Sequence, residues 1–163
     1  MPYPAEVGVQ LYSLDAQKRS ATAIAIPVNT NTPFVWDQII AEGGFQAYNT
    51  ITGTFTCPFT GNYTFTFRFN ASVASSTRQM SAAAEIWNGS AWIKLEFSAV
   101  SDAVRSGEAR QVVFVSTVRF PAGTQVRFPF WCESAVTIAN ITPVNSTGFT
   151  VPASRLMITG TAE

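Results

Sequence analysis

The fold of this 163-residue chain is decided by residues 53–69, GTFTCPFTGNYTFTFRF. Its second half alternates aromatic side chains with polar ones, and the aromatic positions are Tyr63, Phe65, Phe67 and Phe69. A period of two is typical of a β-strand with one buried face and one polar face. Gly61-Asn62 before this strand is a turn signal, and Pro58 cannot donate to a β-ladder, so it ends the preceding run. The stretch therefore predicts two strands joined by a tight connection.

Outward from this stretch, short apolar runs alternate with turn residues at intervals of about 8 to 12 positions, as in an all-β sandwich or barrel. The predicted strands lie near 23–28, 34–40, 45–51, 53–57, 62–72, 80–87, 92–99, 110–120, 124–134 and 154–161. About ten strands favour an all-β jelly-roll sandwich of two antiparallel sheets over a seven-stranded immunoglobulin-like sandwich.

Residues 1–22 contain two early prolines, mixed polarity and no sustained hydrophobic period. They predict a short N-terminal arm that precedes a jelly-roll domain over residues 23–163. The apolar residues of this arm are the expected anchors on a partner: Tyr3, Val7, Val9, Leu11, Tyr12 and Leu14.

The composition excludes several classes of function. Lys plus Arg and Asp plus Glu both total 10, so the chain lacks the basic footprint of a nucleic-acid-binding protein. It has no histidine, which removes Ser-His and Cys-His nucleophile pairs and most transition-metal sites. No acid pair has motif spacing, although Glu85 and Glu96 could face each other across a hairpin at Asn88-Gly89. We therefore expect a protein that is not an enzyme and needs no cofactor or metal.

The two cysteines and the start of the chain bear on its compartment. No signal peptide or membrane-spanning run is evident, which predicts a soluble protein made in a cytoplasm. Cys57 and Cys132 are 75 positions apart without metal or redox spacing, so they are interpreted as small buried hydrophobic residues. A disulfide between them is the alternative.

The predicted strands at 110–120 and 124–134 are apolar on both faces, so something besides the core of the domain must cover the second face. A subunit interface would do so, with Val113, Val115, Phe128 and Phe130 as its candidate residues. The alternative is that the extra aromatic residues fill a thick sandwich core. Pro129 predicts an edge or a bulge in the second of these strands.

Residues 53–67 resemble the motif of the globular heads of complement component one, subcomponent q, in which a glycine-led FTCP precedes a turn and an alternating aromatic strand. Residues 34–40 and 48–50 resemble the lead-in strands of that family, and the resemblance extends loosely over residues 33–161. It implies a ten-stranded jelly roll of the complement-head and tumour necrosis factor (TNF) type that forms a homotrimer. The chain departs from the family in lacking a collagen-like repeat and an acidic cluster for the calcium that some members carry.

A chain of this type that is rich in Thr, Ser and Asn and poor in Lys is similar to bacteriophage virion proteins. The predicted function is a trimeric capsid decoration or cement protein of a virion, bound to the major capsid protein or another virion protein and to neither nucleic acid nor membrane. The alternative is a glycan- or receptor-binding tip of a tail or head fibre. In that case Trp87, Trp92 and Trp131 would contact the glycan, because an exposed indole can stack on a sugar ring.

Overall fold

A computed structural model describes residues 10–18, 24–27, 30–73, 78–104, 110–133, 136–138 and 154–163. Within these ranges the secondary structure is entirely β, and no helix is present that could cross a membrane. The strands are β1 (Leu11–Lys18), β2 (Ile24–Ile26), β3 (Thr32–Pro33), β4 (Gln38–Glu42), β5 (Tyr48–Asn49), β6 (Thr54–Thr56), β7 (Gly61–Val73), β8 (Arg78–Trp87), β9 (Trp92–Val104), β10 (Arg110–Phe120), β11 (Gln125–Arg127), β12 (Pro129–Cys132), β13 (Val136–Ile138) and β14 (Ser154–Ala162).

The first sheet is built around β7, the strand that the aromatic alternation predicts. β10 pairs with β7 on one edge, while β14 and β13 pair with it on the other. β14 pairs in turn with β1, β1 with β4, and β13 with β2. All of these pairs are antiparallel, and β10, β7, β14 and β1 run side by side without a register shift.

The second sheet is built around β8. β9 pairs with β8 on one edge, and β11 and β12 pair with it one after the other on the opposite edge. β6 and β3 continue the sheet beyond these two strands, and β5 closes it beside β6. The predicted strand at 124–134 is thus broken at Phe128 into β11 and β12. Pro129 begins β12, in agreement with the predicted irregularity.

Aromatic rings fill the space between the two sheets. Phe65 and Phe67 of β7 lie 5.2 and 5.3 Å, centroid to centroid, from Phe128, which reaches the core from the second sheet. Phe55 of β6 lies 5.6 Å from Tyr63 of β7. All five side chains are buried. The predicted all-β jelly-roll sandwich is confirmed. It has more strands than the ten predicted, because the run 124–134 is divided at Phe128 and because β1, β3 and β13 lie outside the predicted runs.

The prediction that residues 1–22 form an arm is corrected for residues 11–18, which form β1 of the first sheet. Tyr12, Leu14 and Ala16 point inward from this strand and are almost fully buried. The Tyr12 hydroxyl donates a hydrogen bond to Oε1 of Glu42 at 2.8 Å, so the strand is also tied to β4. Tyr12 and Leu14 therefore cannot serve as anchors on a partner. Residues 1–9, with Tyr3, Val7 and Val9, lie outside the described residues.

Cys57 and Cys132 are free thiols buried in the core, as the first of the two interpretations predicts. Burial raises the pKa of the Cys57 thiol to about 12, because a thiolate would lose its hydration there. Glu85 lies opposite Lys94 in the β8–β9 pair, so Glu85 and Glu96 do not face each other across the hairpin.

Candidate assembly surface

The outward side chains of β1, β14, β7 and β10 form a continuous surface, which we call the assembly face. Since the four strands are in register, these side chains stand in rows of four across the sheet. The rows are Leu11, Thr161, Asn62 and Arg119; Ser13, Thr159, Thr64 and Thr117; Asp15, Met157, Thr66 and Val115; and Gln17, Arg155, Arg68 and Val113. Alternate side chains of each strand point into the core, and the side chains between them form the assembly face.

Apolar side chains lie exposed on both flanks of the assembly face. Val113 and Val115 on β10 are 51% and 60% exposed, and Leu11 on β1 is 66% exposed. Met157 on β14 is exposed between them. Such a grouping on one surface of a small domain is typical of a protein contact surface.

Threonine dominates the centre of the assembly face. Thr64 and Thr117 are joined by a hydrogen bond of 2.9 Å between their hydroxyl oxygens, and Thr159 and Thr161 follow on the adjoining strand. A depression of about 480 Å³ lies here, with Leu11 at its rim. Threonine presents a methyl group and a hydroxyl together, so this centre can pack closely and still form hydrogen bonds.

Two of the arginines on the assembly face, Arg119 and Arg155, are paired with carboxylates. Arg155 donates to both carboxylate oxygens of Asp15, at 2.8 and 2.5 Å, and these hydrogen bonds raise the pKa of the guanidinium. At the edge, Nε of Arg119 donates to Glu163 at 2.8 Å, and this hydrogen bond lowers the pKa of that carboxyl. These two pairs reduce the positive charge that the assembly face presents to a second copy.

The structure separates the four predicted interface residues into two pairs. Val113 and Val115 lie on the assembly face. Phe128 and Phe130 are wholly buried in the domain's own core, so their placement in a subunit interface is wrong. The predicted strands at 110–120 and 124–134 both have apolar residues on two faces. In the second of them, the face that carries Phe128 and Phe130 points into the core. Leu11 and Met157 were not predicted for the interface, although the period-two alternation within residues 11–17 and 154–161 could have identified them.

The three tryptophans predicted for a glycan contact lie on the second sheet but not together. Trp87 and Trp92 are direct partners across the β8–β9 hairpin, with ring centroids 5.5 Å apart. The guanidinium carbon of Arg127 lies 4.3 Å from the centre of the Trp92 ring. Trp131 is on β12 opposite Ser81, six positions along β8 from Trp87, and lines a separate depression. The structure therefore brings two of the three together.

The six carboxylates whose side chains the structure describes are engaged in structural contacts. Glu85 accepts from Nε of Arg127 at 2.7 Å, and Glu42 accepts from the Tyr12 hydroxyl and from the Ala47 amide. Asp15, Asp37, Glu133 and Glu163 also have partners. Among the residues that the structure describes, no group of three or more metal-ligating side chains occurs.

The paired seven-stranded antiparallel sheets define the class: a jelly-roll sandwich of the C1q and TNF type. The C1q domain model matches residues 18–114, more than half of the chain, and the chain belongs to the C1q domain family. Domains of the C1q and TNF type usually form homotrimers and are generally non-enzymatic.

Solved structures agree with this fold assignment. The globular domain of zebrafish complement 1qA protein is similar with a TM-score of 0.53 at 11% identity, over 94% of this chain and 97% of that chain. Murine APRIL gives 0.58 at 11% identity, over 93% and 99%. Eiger TNF from S. frugiperda gives 0.57 at 9% identity, over 94% and 93%. At these identities the likeness concerns the fold. A sequence comparison with curated proteins finds no match.

Proposed function

We propose that this protein is a non-enzymatic structural protein that assembles as a homotrimer through the assembly face, and that the trimer serves as a capsid decoration or cement protein of a bacteriophage virion. Its partner there is the major capsid protein or another virion protein.

The observation that carries the assembly step is the exposure of Leu11, Val113, Val115 and Met157 on one sheet surface. A stable interface buries about 800 Å² on each partner, and its centre is poor in charge. Two of the three arginines on the assembly face, Arg119 and Arg155, reduce its charge by pairing with carboxylates at 2.5 to 2.8 Å. The homotrimers usual among C1q and TNF domains indicate the number of copies.

The virion role is supported by the sequence. The chain is neutral overall, poor in charge at 12%, and rich in Thr, Ser and Asn, and a surface near zero net charge tends to associate with other proteins. With Tyr12 and Leu14 in the core, attachment to a capsid falls to Tyr3, Val7 and Val9 in the proposal. The alternative role, a glycan- or receptor-binding tip of a fibre, is favoured by the pairing of Trp87 with Trp92 on the opposite surface of the sandwich.

Light scattering on the purified protein tests the assembly step. The expected mass is three times the 17.6 kDa chain, or about 53 kDa. A stable monomer at micromolar concentration would contradict it.

The virion role requires a separate experiment. Particles produced from the genome that encodes this chain should contain the protein in stoichiometric amounts, as measured by mass spectrometry after gradient purification. Cryo-electron microscopy should then show it as trimers on the capsid surface. Its absence from the particles would overturn the virion role and leave the trimer untouched.

A further inference from the structure

We propose that a cleft on the outward surface of the second sheet binds a neutral saccharide. The cleft has a volume of about 460 Å³, within the usual range of small-molecule sites. Its walls include Thr54 and Thr56 of β6, Gln125 and Arg127 of β11, and Trp92 of β9. Because the two sheets turn their outward surfaces to opposite sides of the sandwich, assembly through the first sheet leaves this cleft open to solvent.

The strand registers explain why these side chains meet. Gln125 lies opposite Thr56, and Arg127 lies opposite Glu85. Glu85 is followed two positions later by Trp87, which pairs with Trp92. Residues two apart along a strand share a face, so hydroxyl, amide, guanidinium and indole groups converge on one outward surface.

One wall of the cleft is held in place by its own backbone contacts. Oδ1 of Asn49 accepts the amide hydrogens of Ile51 and Thr52, at 2.8 and 3.1 Å, which fixes the turn between β5 and β6. Gly53 ends this turn with a φ of 70°, and an added Cβ there would lie 2.6 Å from the carbonyl oxygen of Phe34. A wall fixed before binding lowers the ordering cost that a weak ligand must meet.

The polar groups of the cleft suit a ligand with many hydroxyls. The threonine hydroxyls and the Gln125 amide can each donate and accept, as sugar hydroxyls do. The guanidinium of Arg127 lies over Trp92, and its N–H donors lie in its own plane, so they point sideways from the stack. A pyranose offers equatorial hydroxyls to such donors.

Charge decides between a neutral and an acidic saccharide. Among the described residues that line the cleft, the charged side chain is Arg127. Its Nε donates to Glu85 at 2.7 Å, and the Glu85 side chain is only 8% exposed. This fixed carboxylate offsets the attraction of Arg127 for a second anion, so we expect a neutral sugar to be preferred.

Binding is tested by calorimetric titration of the full chain with three neutral probes, maltotriose, cellotriose and tri-N-acetylchitotriose, and one acidic probe, trigalacturonic acid. At least one neutral probe should bind with a Kd below about 10 mM, the weak range expected of a shallow site. Failure of all three neutral probes, or tighter binding of the acidic one, would overturn the proposal.

Two variants locate the site. Thr54→Val, which keeps the side-chain shape, and Gln125→Ala, at an exposed position, should each weaken binding about fivefold by removing hydrogen bonds to the sugar. The matched control is Thr66→Val, a half-buried strand threonine on the opposite surface, which should leave the affinity unchanged. Unchanged affinity in both cleft variants would contradict the assignment. So would a loss confined to Trp131→Ala, which alters the other depression.

Discussion

Trp36 and Ser154, separated by 118 positions in the sequence, are joined in the core by a hydrogen bond of 2.9 Å from the indole N–H to the serine hydroxyl. The same hydroxyl donates to the carbonyl oxygen of Arg68 at 2.7 Å. One small side chain at the start of β14 thus satisfies two buried polar groups. A buried N–H without a hydrogen-bond partner lowers the stability of the folded state, so Ser154 contributes to stability by accepting this hydrogen bond.

Replacing Ser154 with alanine should therefore lower the free energy of unfolding by about 1 to 3 kcal/mol, the cost of leaving a buried polar group unsatisfied. Chemical denaturation measured by tryptophan fluorescence gives the value. Ser13→Ala is the control, because Ser13 is exposed on β1, and it should change stability by less than about 0.5 kcal/mol. Equal effects of the two substitutions would mean that the Trp36 indole finds another partner.

A charge introduced on the assembly face should separate the subunits. Val115→Glu places a carboxylate among Thr66, Met157 and its own copies in the trimer, where desolvation and like-charge repulsion oppose association. The measured mass should fall from that of three chains to that of one. Ile51→Glu, at an apolar position 86% exposed but off the assembly face, should leave the trimer intact. A trimeric Val115→Glu protein would exclude β10 from the interface.

Removal of the first strand should prevent folding. A deletion of residues 2–18 takes Tyr12, Leu14 and Ala16 out of the core and leaves β14 and β4 without the strand between them. The loss of each large side chain alone lowers the free energy of unfolding by several kcal/mol. The combined loss therefore exceeds the stability of an ordinary domain. Circular dichroism and thermal melting give the readout. A deletion of residues 2–9 leaves β1 whole and serves as the control. A cooperative melt for the longer deletion would show that β1 is dispensable.

Stability should fall in alkali. Burial raises the pKa of Cys57 from 9.0 to about 12 and that of Tyr63 from 10.0 to about 12, and it also raises the pKa of Tyr12 and Tyr48. The unfolded chain ionises these groups at their ordinary pKa values, so it releases protons first as the pH rises. The free energy of unfolding therefore keeps its full value below about pH 9. Above that pH it decreases, by about 1.4 kcal/mol per pH unit for each fully titrating group.

Guanidinium unfolding at pH 8 and pH 10.5 measures this decrease, and the native protein at pH 8 should also resist alkylation at Cys57 because its thiol stays protonated. The unfolded protein at the same pH is the control and should be alkylated rapidly. Equal unfolding free energies at the two pH values, or rapid alkylation of the native protein, would contradict burial of these groups.

The parts of the fold that the sequence predicts are those where local pattern and burial agree. Tyr63, Phe65 and Phe67 alternate with polar residues, and this alternation is enough to place them inward. Phe128 and Phe130 were misplaced because both faces of their strand appear apolar, and which face turns inward depends on β8 and β6 beside it. β1 was missed because its eight residues owe their order to β14, more than 130 positions away. The cleft beside Trp92 could not be predicted either, since β5, β6, β9 and β11 converge only through tertiary pairing.

The insertion of β14 between β1 and β7 has a consequence for biosynthesis. As the chain leaves the ribosome, β1 and β7 are made long before the strand that separates them. Until residues 154–162 emerge, the two strands have exposed edges that could join each other or the edges of neighbouring nascent chains. The first sheet therefore closes only after residues 154–162 have emerged and β14 has paired with both neighbours.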